Sequence, residues 1–132
     1  MKRPRISRYC VYTIADGKKL AFAADNRKEC AFEEKKSWVT GHSLWQNARL
    51  ANEVMPVLLG DAADCTRLLF WGFLADLQIE DSGTSFVLDR VRRLEYRHTP
   101  QELVLRSSGK NIAPNFIRPY AICVTPPFLI GN

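Results

Sequence analysis

Leu68-Leu69-Phe70-Trp71-Gly72-Phe73-Leu74-Ala75-Asp76-Leu77-Gln78-Ile79 is the run whose reading decides the fold. Nearly every position carries a β-favouring or large apolar side chain, which predicts a strand across the middle of the domain. Gly72 lets another backbone or a ligand approach closely, and Glu80-Asp81-Ser82-Gly83 supplies the turn that ends the strand. Thr84-Ser85-Phe86-Val87-Leu88 runs back and continues through Asp89-Arg90-Val91-Arg92-Arg93-Leu94, so the pair reads as a long antiparallel hairpin. If the return strand stays regular, Arg90 and Arg92 share one face of the pleat and Arg93 projects from the other.

Upstream of the hairpin, Met55-Pro56-Val57-Leu58-Leu59 reads as a short buried strand closed by Gly60-Asp61. Leu44, Ala48 and Ala51 recur at helical spacing, with Ser43 placed as the N-cap of a helix over residues 44–53. Ser37-Trp38-Val39-Thr40-Gly41-His42 reads as a loop carrying a large aromatic. Asn26 to Lys36 fits either a short helix or an exposed ribbon, with charges able to pair at i,i+4. Tyr9 to Ile14 alternates like a strand, and Asp16-Gly17 is a hairpin signal leading into Leu20 to Ala23. Downstream, Thr99-Pro100-Gln101-Glu102 has capping-box spacing with proline at the first helical position and predicts one helical turn. Leu103-Val104-Leu105 is β-like, Ser107 to Lys110 is a turn, and Ile117 to Thr125 is a last strand ended by Pro126-Pro127. The count is six or seven strands with one to three short helices. Sequential hairpins favour an α+β fold built on a small, mixed, mainly antiparallel β-barrel over a doubly wound parallel sheet.

Residues 1–8 form a basic arm and residues 9–132 one domain, long enough to bury about two-thirds of its unfolded surface without disulfides or metal. The chain is 46% hydrophobic and 25% charged, the balance of a soluble globular protein rather than a disordered one. No apolar run approaches the ~20 residues that span a bilayer. No apolar segment follows Lys2, Arg3 and Arg5 either, so neither a membrane partner nor a signal peptide is expected, and a cytoplasmic location is. Cys10, Cys30, Cys65 and Cys123 stand singly in apolar surroundings with no Cys-x-x-Cys pair and no histidine at ligand spacing. They read as reduced core thiols, with no metal and no cofactor implied. A net charge of +5 favours acidic partners, nucleic acid (RNA or DNA) first.

Three tryptophans and Phe73 fall within under forty residues, and aromatic faces can stack on an unpaired base for roughly 1–3 kcal/mol each. Trp71 and Phe73, on one face of the central strand, are also what a core would use; Trp38, in a polar loop, is the better ligand candidate. Arg90, Arg92, Arg93, Arg97, Arg106, Lys110 and Arg118 could form a phosphate-binding rim or be dispersed surface charge. Neither His42 nor His98 stands in a nucleophile or metal pattern, and Cys65 would need a base beside it to act. Asp61 with Asp64, and Glu80 with Asp81, read as turn residues.

A loop tryptophan with a following threonine, an asparagine-bearing helix, a buried strand, then a strand with Trp71-Gly72-Phe73 and a return hairpin resembles the PUA-like superfamily, particularly its YTH and EVE branches. The resemblance covers Ser37 to Leu94 and is one of element order rather than of a fixed motif. The Gly-x-Lys-x-x-Glu-x-Arg pattern of the related ASCH branch is absent, and no second cage tryptophan follows the hairpin. The resemblance implies a small β-barrel with flanking helices that binds nucleic acid, or a modified or flipped base, in an aromatic pocket. Trp38 would be the first pocket aromatic, with Thr40 and Asn47 nearby and Trp71 as a second wall; Arg90, Arg92, Arg93 and Arg118 would engage phosphate. The alternatives are a small nucleotide- or RNA-directed hydrolase using His42 or His98, and a regulatory domain that offers its aromatic face to a protein partner or a homodimer.

Overall fold

A computed structural model describes residues 4–64, 66–114 and 120–130. Its strands are β1 (Arg5–Ile6), β2 (Tyr9–Ala15), β3 (Cys30–Glu34), β4 (Glu53–Val54), β5 (Pro56–Asp61), β6 (Leu68–Glu80), β7 (Gly83–His98) and β8 (Tyr120–Val124). Helices α1 (Gly17–Asn26), α2 (Val39–Leu50) and α3 (Pro127–Ile130) and a 3₁₀ turn at Pro100–Glu102 complete it. The result is an α+β fold on a six-stranded sheet ordered β3-β7-β6-β5-β2-β8, in which only β2 and β5 run parallel. A separate parallel pair, β1 with β4, ties down the described part of the N-terminal arm. Among the described residues no helix is long and apolar enough to cross a membrane.

The central hairpin forms as its composition predicts: β6 and β7 pair from Glu80↔Gly83 to Leu68↔His98. The expected hairpin at Asp16-Gly17 does not form. Asp16 instead caps α1, its carboxylate accepting from the Lys18 N–H at 3.0 Å. Asp-Gly serves either purpose, and as a helix the segment buries Leu20 and Ala23. A Cβ at Gly17 would meet the Asp61 carboxylate, which accepts from the Gly17 N–H at 3.3 Å and would have to shift. Helix α2 also departs from expectation, starting at Val39 rather than after Ser43, with Trp38 at its N-cap. Of the two readings of residues 26–36, the ribbon is found, as edge strand β3. Pro126-Pro127 does not end regular structure, since one helical turn follows as α3.

The sheet is strongly coiled. In a flat sheet β3 and β2, four strands apart, would lie about 19 Å from each other. Yet the Thr13 hydroxyl on β2 donates to Glu34 Oε2 on β3 at 3.2 Å. Trp38 fills the space between, its ring 4.4 Å from Phe86 of β7 and 5.0 Å from Tyr120 of β8, and its Nε1–H donates to the same Glu34 oxygen at 2.9 Å. The expected barrel is therefore not closed by strand pairing among the described residues; side chains bridge the two sides of the coil instead. Inside it, Trp38, Trp45, Val57, Leu59, Phe70, Leu74, Leu88 and Val91 share one core with α1 and α2. The other face carries a second core of Cys10, Tyr12, Leu58, Leu68, Trp71, Leu103, Ile112 and Cys123, covered by the 103–112 segment and α3. With both faces buried, the alternation of polar and apolar residues is blurred in β5 and β6.

Candidate nucleic-acid interface

The site is built by irregularities in the β6–β7 ladder. Phe73 faces Asp89 and Trp71 faces Arg92, so the single residue Gly72 stands opposite two, Arg90 and Val91. This is a β-bulge, and it reverses the alternation of everything beyond it. Arg90 takes the left-handed conformation with φ +56°. A Cβ on Gly72 would sit 3.1 Å from the Asp89 carbonyl oxygen and 3.3 Å from Val91, which is why the strand is glycine at the bulge. Val91 thereby enters the inner core, Arg92 turns to the Trp71 face, and Arg93 turns to α1. The expected sharing of one face by Arg90 and Arg92 rests on regular alternation, and the bulge removes that basis.

On the outer face the Arg92 guanidinium lies 4.5 Å from the Trp71 ring centroid and 5.7 Å from that of Phe73. The two rings meet edge to face at 76° and 5.3 Å. Arg92 Nε–H donates to the Arg90 carbonyl at 3.3 Å. Farther along, Arg93 faces Phe70 and His98 faces Leu68, leaving four residues of β7 against one of β6. The slack pushes out Tyr96, 73% exposed. His98 folds back, its ring parallel to Phe128 of α3 at 3.7 Å and its Nδ1 2.9 Å from Glu102 Oε1. Burial works against the Glu102 charge, but hydrogen bonds from His98 and the Thr99 N–H hold its carboxyl below the ordinary value. That Thr99–Glu102 contact is half of the capping box expected there.

These groups border one cleft of about 1020 Å³, walled by Pro4 and Ile6 of the N-terminal segment, Val54, the β6–β7 residues and Phe128 and Leu129. Trp71, Phe73, Tyr96 and His98 give it ring surface; Arg90, Arg92 and Arg93 give it cations. It is not uniformly basic. Asp89 and Glu95 lie on the same wall, Arg90 Nε is 3.9 Å from Asp89, and Arg93 is paired with Asp25 of α1. Arg90 and Arg92 are the cations of this wall with most freedom to meet an anion.

Of the residues expected to carry the site, Trp71, Arg90, Arg92 and Arg93 border this cleft; Trp38, Thr40 and Asn47 do not. Trp38 is 0% exposed and both its ring faces are covered, so it is a core residue rather than a loop aromatic awaiting a base. The polar residues that make its surroundings look loop-like, Thr40 and Ser43, are simply the exposed side of the first turns of α2. Asn47 is exposed on the same helix. Arg118 and Cys65 lie outside the described residues. Arg106 packs over Tyr9 at 5.0 Å, with Arg8 at 5.3 Å from the same ring. Tyr96 and the His98–Phe128 stack are absent from the sequence reading, because the register shift that exposes them leaves no periodic signal.

Among the described residues no cluster of three or more His, Cys, Asp or Glu could hold a metal. Cys10, Cys30 and Cys123 are buried free thiols, and burial pushes Cys123 up to about 12 and Cys10 higher still, which leaves no thiolate for nucleophilic work. His42 packs against Trp45 at 5.9 Å. Asp61 and Asp64 accept hydrogen bonds from turn backbone, as expected of turn residues. Comparison with known proteins assigns no family to this arrangement: no protein-family model matches the chain, and no curated protein sequence matches it.

Proposed function

We propose that the chain is a nucleic-acid-binding module whose interface is the cleft over the β6–β7 hairpin. The observation that carries this reading is the convergence, in one open cleft, of an exposed stacking ring, Tyr96, with the Trp71–Arg92–Phe73 cluster and the Arg90 cation. Rings supply sequence-tolerant stacking and guanidiniums supply phosphate contacts, the two components of strand binding. A PUA-like identity belongs to the same proposal. Its support is the order β2-α1-β3-α2-β5 of the main-sheet strands and helices before the aromatic hairpin, and the coiled, mainly antiparallel sheet. With Trp38 packed shut, the reading of a modified or flipped base moves to Trp71 and Tyr96.

The test is binding of labelled RNA and DNA oligonucleotides over a range of salt. The expected result is affinity that falls linearly on a log–log plot against salt and is weakened by Arg90→Ala and Tyr96→Ala. Absence of binding at low salt, or binding that neither substitution changes, overturns the proposal.

Hydrolysis is a second reading with one observation in its favour: His98, unlike His42, borders the cleft and has a carboxylate partner in Glu102. It requires turnover of a phosphodiester that His98→Ala abolishes. Turnover unchanged in that variant, or none at all, removes it.

A further inference from the structure

The deepest ring surface in the cleft is already occupied, and by a group of this chain. Trp71 is only 9% exposed, and the planar cation of Arg92 lies over both it and Phe73. Arg92 is held there lightly. Among the described residues its one side-chain hydrogen bond is the 3.3 Å contact to the Arg90 carbonyl, and no carboxylate lies within salt-bridge distance of it. Both partners derive from the bulge, since the left-handed turn at Arg90 presents the carbonyl and the extra residue places Arg92 on the Trp71 face.

We propose that Arg92 is a displaceable stopper and that the cleft selects unpaired nucleic acid. This inference rests on the nucleic-acid reading above and adds to it the class of strand and the residue that sets the choice. On binding, the guanidinium leaves the rings for a backbone phosphate, where it gains charge-assisted bonds in its planar fork geometry. The vacated corner between Trp71 and Phe73 then takes a base. Such a base must be free of its partner, because a paired base stays stacked within its helix and cannot reach a ring at the floor of a cleft. Tyr96, at the open rim, provides a second stacking surface for a neighbouring nucleotide. The exchange is one for one: a flat cation leaves and a flat base arrives, so the hairpin backbone need not move.

The experiment uses the full chain with a short oligouridylate or oligothymidylate and with a duplex of the same length. Tryptophan emission and affinity are followed against salt in wild type, Trp71→Phe, Arg92→Ala and Arg92→Lys, with circular dichroism confirming that each variant is folded. Single strand is expected to quench emission in wild type and to lose that quench in Trp71→Phe, while duplex leaves emission unchanged and binds more weakly. Arg92→Ala should retain the quench but lower the salt slope by about 0.7, the share of one single-strand phosphate contact. Arg92→Lys should keep the wild-type slope. Duplex binding as tight as single strand, an emission unmoved by bound strand, or a slope unchanged by Arg92→Ala overturns the stopper while leaving nucleic-acid binding intact. No binding of either form at low salt overturns both.

Discussion

Replacing Trp38 tests whether the coiled sheet is built around that ring. The indole is fully buried, stacked at 4.4 Å on Phe86 and 5.0 Å on Tyr120, and its N–H serves Glu34 at 2.9 Å. Truncating a buried aromatic to alanine costs about 3–5 kcal/mol. Trp38→Ala belongs at the upper end of that range, because two ring pairs, each worth about 0.5–1.5 kcal/mol beyond area, are lost with it. Glu34 would also lose a donor when its Oε1 is already buried without a partner among the described residues. Trp38→Phe is milder: it keeps a six-membered ring in the stack, removes the rest of the indole with its N–H, and leaves Thr13 as a donor to Glu34 Oε2, so its cost is about 1–3 kcal/mol. A domain of this kind is stable by about 5–15 kcal/mol, so the alanine variant approaches unfolding while the phenylalanine variant stays measurable. Urea denaturation followed by circular dichroism gives both values. Because Trp38 is absent from the cleft, folded Trp38→Phe should bind oligonucleotide as wild type does. A loss below about 0.5 kcal/mol for Trp38→Ala, well under the cavity cost, refutes the packing argument. So does a tenfold loss of affinity, about 1.4 kcal/mol, in Trp38→Phe at unchanged stability.

Three further predictions concern groups around the coil and the bulge. Burial, opposed by hydrogen bonds from Thr13 and Trp38 and by the charge of Lys36, holds the Glu34 carboxyl above its ordinary 4.5. The native state then binds this proton more tightly than the unfolded chain does, so stability falls as pH rises from 4.5 through the raised value. Glu34→Gln should flatten that part of the curve, and urea titrations giving equal pH slopes for both proteins would count against it. Arg90→Gly accepts the φ of +56° without strain and should leave stability within about 1 kcal/mol while weakening oligonucleotide binding; Arg90→Val, branched at Cβ, should lose about 1–2 kcal/mol by the same denaturation assay. In a Cys65→Ser background, Cys10, Cys30 and Cys123, buried and with thiol pKa values raised by that burial, should resist a thiolate-directed reagent at pH 8 until urea unfolds the chain. Rapid labelling of Cys10 or Cys123 in the native protein would show that the β2–β8 edge opens, and of Cys30 that the β3 edge does.

How far the sequence reaches depends on whether a feature is set locally. The central hairpin is legible because nearly every residue from Leu68 to Ile79 is β-favouring or large and apolar, and a turn follows at once. Asp16-Gly17 is not, because the dipeptide suits a hairpin and a helix start alike, and the parallel pairing of β2 with a strand beyond α1 and α2 decides between them. Trp38 misleads for a related reason: its sequence neighbours face water, whereas the rings that bury it come from β7 and β8, remote in the chain. The cleft is least legible of all. Strand alternation places Arg90 and Arg92 together and carries no trace of a slip, yet the single extra residue of β7 opposite Gly72 decides which arginine meets Trp71 and which pairs with Asp25. Without the bulge, the same sequence in regular alternation would turn Val91 out of the inner core and exchange the faces of Arg92 and Arg93. The bulge therefore couples two things that could have been independent: the hairpin cannot bury Val91 without also presenting a guanidinium to Trp71. A site made in this way belongs to the register of two strands rather than to either, which is why the residues that line the cleft emerge only from the pairing.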